Sequence, residues 1–146
     1  MENNAKILLC DESSEQRRKI IDFLSKSGFR NVDEASNGES AVERLNSGNY
    51  SIAIVDLWLS GIDGIGIIRN IMSSNIKSKP SFILMSPINK QSVLVEASEA
   101  GADLCLLKPI DSSSLVGHIE SLLRLQSKRQ MNSGISSSAD MEAQVT

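Results

Sequence analysis

The sequence predicts an α/β protein in which a parallel sheet is covered by helices on both faces. The first observation is that short apolar runs alternate with longer amphipathic segments five times over the 146 residues. The second is that β-branched and aliphatic residues fill most of the apolar runs, as in strands buried on both faces. The third is that charged or hydroxyl residues follow four of these runs, where parallel strands would end. Together these observations predict five βα units in one doubly wound domain.

The first two units combine a strong strand with a weak one. The apolar run Ile7–Cys10 has the length of a buried strand, and Ser13 or Ser14 can cap the amphipathic helix that follows it. Residues 31–35 predict a second strand, which is weaker because it contains charged residues. A helix over about 39–45 follows a turn and completes the second unit.

The third and fourth units contain the most apolar strands. Residues 52–55 read Ile-Ala-Ile-Val, which predicts a fully buried strand, and a third helix begins near Gly64. Pro80 precedes the fourth apolar run, where a loop leads into a strand. The next helix covers roughly Gln91–Ala100, and Gly101 ends it because glycine readily adopts the left-handed conformation after a helix.

The fifth unit and the segment after it differ in composition. Leu104–Leu107 predicts the fifth strand, and Asp111 or Ser112 can cap a helix with apolar residues at helical spacing. From about residue 127 the sequence is polar, serine-rich and without periodicity. We therefore expect a folded domain over 1–126 and a disordered tail or linker over 127–146.

Right-handed crossovers between these units give a flavodoxin-like (βα)5 sheet with strand order 2-1-3-4-5. In that order the first and third strands are neighbours, so Asp11, Glu12 and Asp56 come together at their carboxyl ends. Ser86 ends the fourth strand, and Lys108 follows the fifth. Because hard cations prefer oxygen ligands and phosphoryl transfer depends on charge stabilisation, this set predicts a site for a divalent cation and a phosphoryl group.

Composition and charge exclude several functional classes. The net charge of −3 and the pI near 5.2 argue against direct nucleic-acid binding, which requires a basic surface. No apolar stretch approaches the roughly 20 residues of a membrane span, and the N-terminus lacks the apolar core of a signal peptide. We therefore expect a cytoplasmic protein that binds neither nucleic acid nor a membrane, while the charge leaves a protein partner open.

The remaining reactive or basic residues are predicted to have ordinary structural roles. Cys10 and Cys105 lie in strands that are not neighbours in the predicted sheet, so we expect free thiols and no disulfide. His118 is expected on the surface or at the boundary of the last helix. The basic run at 17–19 is expected to form a solvated face of the first helix.

The strand-end residues, taken together, resemble those of a response-regulator receiver domain, and the resemblance covers roughly residues 5–125. Within it, the segment over 107–119 is particularly similar to the receivers of sporulation phosphorelay regulators. The residues that carry the resemblance are the pair Asp11-Glu12, then Asp56, Ser86 and the pair Lys108-Pro109.

Receivers accept a phosphoryl group from a phosphohistidine, so the resemblance implies a sensor histidine kinase or a histidine phosphotransfer protein as partner. It implies Asp56 as the phosphoacceptor, with Ser86 and Lys108 in contact with the phosphoryl oxygens. It also implies a downstream protein target on the face formed by helix 4, strand 5 and helix 5. The implied cofactor is Mg²⁺, and its contributors are Asp11, Glu12, Asp56 and the backbone carbonyl of Trp58.

Four residues depart from the family pattern. Pro87 follows Ser86, where receivers usually supply a backbone N–H to a phosphoryl oxygen, and proline has none. Cys105 replaces the usual switch aromatic, and a small thiol cannot fill the same space. Ser60 stands where the family often has proline, which predicts a more mobile loop, and Trp58 places a large ring two residues after the acceptor.

Two other functions compete with a phospho-accepting receiver. Pro87 and Cys105 favour a receiver-like interaction module that works independently of phosphorylation. A metal-dependent phosphatase of the haloacid dehalogenase type is disfavoured, because such enzymes carry a second acid where this chain has Trp58. We therefore expect no enzyme activity beyond self-catalysed phosphoryl transfer and autodephosphorylation.

Overall fold

The structure is a computed structural model that describes residues 3–135, in which strands and helices alternate. The strands are β1 (Ile7–Cys10), β2 (Val32–Ala35), β3 (Ile52–Asp56), β4 (Ser81–Ser86) and β5 (Leu104–Leu107). The helices are α1 (Ser14–Lys26), α2 (Gly38–Ser47), α3 (Gly64–Met72), α4 (Gln91–Ala100) and α5 (Ser112–Ile135). The predicted alternation of elements is therefore confirmed.

The five strands form one parallel sheet in the order β2-β1-β3-β4-β5. This confirms the predicted doubly wound, flavodoxin-like fold. Cys10 at the end of β1 pairs with Val55 of β3, and Ser86 at the end of β4 pairs with Leu107 of β5. Because the strands end at the same edge, the residues that follow them lie near one another.

The central strands are buried on both faces, as their continuous apolar sequences predict. Every residue of β1, β3 and β4 is buried, whereas the edge strands β2 and β5 are partly exposed. On one face of the sheet, apolar residues of α2, α3 and α4 join those of the strands in a single cluster. Each aliphatic side chain that is fully buried there contributes about 1.5–3 kcal/mol to folding.

Side-chain caps fix the start of three helices close to the strand ends. Ser13 Oγ accepts a hydrogen bond from a backbone N–H in the first turn of α1, so Ser13 rather than Ser14 is the cap. Asn37 caps α2, which begins at Gly38, and Asp63 caps α3. Each such cap contributes about 1 kcal/mol and sets the position of the loop that precedes the helix.

The chain divides into two compact units, Met1–Ser112 and Ser113–Thr146. The first contains the sheet and helices α1–α4, and the described part of the second is helical through Ile135. The predicted non-helical segment is therefore wrong over 127–135, where lysine, arginine, glutamine and methionine extend the helix because their helix propensities are high. The rest of that predicted tail, 136–146, lies outside the described residues.

Neither a disulfide nor a membrane-spanning helix occurs in residues 3–135. Cys10 and Cys105 are both free thiols, as predicted. Burial raises the pKa of the Cys10 thiol to about 12, so it is a poor nucleophile. Within the same range no helix is long and apolar enough to cross a lipid bilayer.

Candidate functional site

Two aspartates and a lysine from three strand ends meet at the carboxyl edge of the sheet. Lys108 Nζ lies 2.8 Å from Asp56 Oδ2 and 3.2 Å from Asp11 Oδ2. The two carboxylates are only 6% and 2% exposed, respectively. We call Asp11, Asp56 and Lys108 the acid–lysine triad. The sequence predicted that these three residues converge, and the structure brings them together.

The triad balances burial against charge pairing. Burial is the largest influence on the pKa of Asp56 and raises it. The hydrogen bond and the charge of Lys108 lower this pKa. The charge of Asp11 raises it, and the backbone N–H of Trp58 lowers it slightly. The net pKa is above that of an ordinary aspartate. Burial alone would lower the pKa of Lys108, but its hydrogen bond to Asp56 and the charges of both aspartates raise it overall. Lys108 therefore stays protonated and supplies the positive charge of the site.

The second carboxylate oxygen of Asp56 does not bond Lys108. Asp56 Oδ1 is buried, and in residues 3–135 it is the one buried side-chain nitrogen or oxygen without a hydrogen-bond partner of good geometry. A buried carboxylate oxygen without a partner is unfavourable unless something binds there. The positive charge of Lys108 on the same carboxylate makes a phosphoryl group, whose oxygens are negative, a suitable occupant.

Glu12 is bonded by Ser60, whereas Lys108 bonds the two aspartates. The backbone N–H and the Oγ of Ser60 both donate to Glu12 Oε1, the Oγ at 2.6 Å. These two hydrogen bonds lower the pKa of Glu12 below that of an ordinary glutamate. Within residues 3–135, no three His, Cys, Asp or Glu side chains are grouped as a metal site. The sequence analysis noted Ser60 only as a replacement for proline and missed its contact with Glu12, because a serine in a loop carries no signal for such a contact.

Ser60 lies in the loop between β3 and α3, and the start of α2 holds its backbone in place. The backbone N–H of Gly38 donates to the carbonyl of Ser60 at 3.2 Å. Gly61 follows with a φ of +78°, a conformation that favours glycine. The loop and Glu12 line an open cleft of about 480 Å³, and the ring of Trp58 at its edge is 60% exposed. A metal role for the Trp58 carbonyl stays a prediction.

Ser86 lies where the sequence predicts, but its hydroxyl already has partners. Ser86 Oγ donates to the carbonyl of Ile88 at 2.7 Å and accepts from the Ile88 backbone N–H at 3.1 Å. The backbone N–H of Lys108 donates to the Ser86 carbonyl at 2.8 Å, which joins the ends of β4 and β5. Contact between Ser86 and a phosphoryl oxygen would therefore require this local turn to open.

The side chain of Cys105 borders a cavity behind Ser86. The cavity has a volume of about 230 Å³ and is lined by residues of β4, the β4–α4 loop, α4 and β5: Ser86, Ile88, Asn89, Leu94, Cys105 and Leu107. Cys105 is partly exposed, and burial raises the pKa of its thiol. No side chain of aromatic size occupies this position, as the sequence indicates.

The basic run at 17–19 is solvated as predicted at Arg18 and Lys19, whereas Arg17 is partly buried and makes specific contacts. Its Nε lies 2.8 Å from Glu34 Oε1, its guanidinium also donates to the Asp11 carbonyl, and its side chain is 14% exposed. Helical spacing could have shown this, because Arg17 lies three and seven residues before the buried Ile20 and Leu24. His118 is partly exposed on α5, in agreement with its predicted boundary position.

The comparisons with known proteins point to one family. The model of the response regulator receiver domain matches residues 7–120. The chemotaxis protein CheY of Bacillus subtilis is 30% identical over 118 residues, which cover 81% of this chain and 97% of CheY. The transcriptional regulatory protein ResD of Bacillus subtilis is 30% identical over 126 residues, or 86% of this chain. This chain spans only 51% of ResD, so the rest of that protein has no counterpart in the match.

Solved structures agree with the family match. A two-component response regulator from Clostridium difficile is 26% identical, with a TM-score of 0.76 over 83% of this chain and 97% of that one. The receiver domain of the Francisella response regulator 1452 superposes with a TM-score of 0.78 over 84% of this chain and 99% of that one. At 23% identity, this second similarity shows the fold alone.

Proposed function

This chain belongs to the response regulator receiver domain family of two-component signal transduction, and we propose that Asp56 is its phosphoacceptor. The observation that best supports this proposal is the free Oδ1 of Asp56 beside the Lys108 ammonium group. Oδ1 is the Asp56 oxygen that does not bond Lys108, so we assign the nucleophilic attack to it. Lys108, which binds the other oxygen, lies where charge develops during phosphoryl transfer.

The proposed reaction transfers a phosphoryl group from a phosphohistidine of a sensor histidine kinase or a histidine phosphotransfer protein. The N–P bond of the donor breaks and its electron pair returns to the imidazole, while Asp56 Oδ1 forms the new O–P bond. Water can later break that O–P bond and release inorganic phosphate. We propose no further enzyme activity, since positioning and charge stabilisation account for both steps.

Receiver domains generally bind Mg²⁺, and the donor set of this site fits a hard cation in kind. Asp11, Asp56 and Glu12 would supply carboxylate oxygens, and Trp58 would supply its backbone carbonyl. When bound, the cation neutralises negative charge on the transferring phosphoryl group.

The test is Mg²⁺-dependent phosphoryl uptake from acetyl phosphate, followed by intact-protein mass spectrometry. The wild-type protein should gain the mass of one phosphoryl group, and Asp56→Asn should gain none. Asp63→Asn is the matched control, because Asp63 lies in the same loop, caps α3 and is not in the acid–lysine triad. Uptake by Asp56→Asn equal to that of the control would show that another residue is the acceptor.

A second candidate function, partner binding independent of phosphorylation, is favoured by the contacts of Ser86. The hydroxyl of Ser86 is bound to Ile88, and Cys105 borders a cavity next to Ser86. The phosphorylated and unphosphorylated proteins would therefore differ in few contacts, so phosphorylation would shift the conformation only slightly. Val95 of α4 and Leu107 of β5 are 44% and 51% exposed, and they provide apolar contact area for a protein target. Amide chemical shifts with and without beryllofluoride would decide. Large concerted shifts reaching Cys105 would exclude this second function.

A further inference from the structure

We propose that Ser60 is a positioning residue that binds the Glu12 carboxylate, so that Glu12 must exchange its hydrogen bonds to Ser60 for Mg²⁺ when the cation binds. This inference rests on the proposed function, because Mg²⁺ is the cation expected at this site. It assigns a role to a loop serine that neither accepts phosphate nor ligates metal.

The contacts at Glu12 carry the inference. Both donors of Ser60, its backbone N–H and its Oγ, converge on the same oxygen, Glu12 Oε1. Hydrogen bonds to an ionised carboxylate are stronger than those between neutral groups. Glu12 is otherwise solvent-exposed, and within residues 3–135 Ser60 provides both hydrogen bonds recorded for its side chain. These two bonds therefore hold a side chain that would otherwise move freely.

Ser60 is itself fixed, so the carboxylate rather than the loop is the part that moves. The Ser60 carbonyl accepts from Gly38 N–H at 3.2 Å. A side chain at Gly38 would collide with the carbonyl oxygen of Ile62, which shows how closely the loop approaches the start of α2. Because the loop rests on α2 in this way, Glu12 can leave without displacing Ser60.

The three acids of the predicted metal site are satisfied in two separate groups. The ammonium group of Lys108 forms ion pairs with both Asp11 and Asp56, whereas Glu12 is stabilised by Ser60. The sequence predicts a cluster of three acids, but within residues 3–135 no group of three acidic, histidine or cysteine side chains is arranged as a metal site. The different partners of Glu12 and of the two aspartates account for this difference. Mg²⁺ must therefore compete with Ser60 for Glu12, and the hydrogen bonds of Ser60 weaken cation binding.

The experiment measures Mg²⁺ affinity alone, without a phosphoryl donor, by the fluorescence of Trp58, the only tryptophan of the chain. Ser60→Ala removes the Oγ donor and keeps the backbone N–H, so the Kd for Mg²⁺ should fall about three- to tenfold. Ser60→Thr keeps the hydroxyl and should behave as the wild type does. Ser73→Ala, whose Oγ bonds only carbonyls at the end of α3, is the matched serine control and should leave the Kd unchanged.

Two further measurements separate a positioning role from a general effect on folding. The amide resonance of Ser60 should shift when Mg²⁺ binds to the wild-type protein, since its N–H loses Glu12 as acceptor. In a Glu12→Gln background, Ser60→Ala should change the Mg²⁺ affinity by less than twofold, because the ionic hydrogen bond is already lost. Circular dichroism establishes that each variant is folded before its titration is compared.

The outcomes distinguish this inference from the proposed function. Equal Kd values for the wild type and Ser60→Ala would overturn the role of Ser60 and leave the proposed phosphoacceptor intact. A weaker Kd in Ser60→Ala would also overturn it, since Ser60 would then orient Glu12 for the cation. No response to Mg²⁺ in any variant would overturn both this inference and the cation part of the proposed function.

Discussion

The acid–lysine triad and the pair Glu12 and Ser86 lie at the same edge of the sheet, but different forces hold them. The triad joins side chains from three strand ends through one ammonium group. We call Glu12 and Ser86 the loop-bound pair, because hydrogen bonds to Ser60 and Ile88 hold their polar groups. Strand pairing therefore decides which residues approach one another, and local hydrogen bonds decide which of them can reach a ligand.

The difference follows from burial. Asp11 and Asp56 are nearly inaccessible to water, so a charge partner is required and Lys108 is the one within reach. Glu12 is exposed, and water could satisfy its carboxylate, so a modest gain from Ser60 is enough to select its position. Hence the triad should be costly to disrupt, whereas the loop-bound pair should be easy to change.

The largest effect is expected from Lys108→Met, which keeps most of the side-chain stem and removes the charge. Asp11 and Asp56 would then face each other without a cation, and the free energy of unfolding at neutral pH should fall by about 2 kcal/mol. Urea unfolding gives this value. The loss should shrink at acid pH, where the two aspartates become protonated.

Lys90→Met is the matched control for Lys108→Met, because Lys90 is exposed and makes no side-chain cap. It should change the unfolding free energy by less than about 0.5 kcal/mol. If Mg²⁺ stabilises Lys108→Met more than the wild type, the cation and the lysine act on the same carboxylates. Equal stability of the two lysine variants would show that the triad does not depend on its central charge.

A smaller effect is expected from Ser86→Ala in the loop-bound pair. Ser86 is 1% exposed, and its loss leaves the Ile88 backbone groups without these partners, so stability should fall by about 1 kcal/mol. Phosphoryl uptake from acetyl phosphate should slow by less than about fivefold, since the hydroxyl is engaged elsewhere. Ser98→Ala on the exposed side of α4 is the control. A much larger loss of uptake would mean that the turn opens and Ser86 contacts the phosphoryl group.

The same contrast marks what can be predicted from the sequence. Buried apolar runs fix the strands, and strand order then brings Asp11, Asp56 and Lys108 together, so the fold and the triad follow from periodicity and topology. The hydrogen bond between Ser60 and Glu12 depends on the path of a loop 48 residues away along the chain. No local pattern encodes such a path.

Helix ends show the same limit on a smaller scale. Asn37, which the sequence places in a turn, caps α2, because an asparagine before a helix favours either structure. Continuation of α5 through 127–135 depends on helix propagation, which adds one hydrogen bond per residue once a helix exists. Serine lowers the helix propensity of this segment but is tolerated in a helix, so a serine-rich composition does not reveal that α5 continues.

Asp56→Asn tests the electrostatic balance within the triad. The pKa of Asp56 is raised in the folded protein, so ionised Asp56 destabilises the fold at neutral pH and this penalty disappears as pH falls below the ordinary aspartate value. The asparagine variant should therefore be more stable than the wild type at pH 7, by up to about 1 kcal/mol, and equal to it in acid. Thermal unfolding across this pH range measures the difference. A variant less stable at pH 7 would show that the bond to Lys108 outweighs burial.

The smallest effect concerns the pKa of Glu12, which the side-chain hydrogen bond from Ser60 lowers most and the backbone hydrogen bond from Ser60 lowers further. Because the pKa is depressed in the folded state, these bonds favour the fold above the ordinary glutamate pKa, and their contribution is lost as pH falls through the folded-state value. Ser60→Ala should move the pKa of Glu12 upward toward the ordinary value. Carbon-detected NMR titration of the side-chain carboxylate can follow this shift, with Ser73→Ala as control. An unmoved pKa would mean that the backbone N–H alone holds Glu12, so the loop-bound position would depend on loop geometry rather than on the serine hydroxyl.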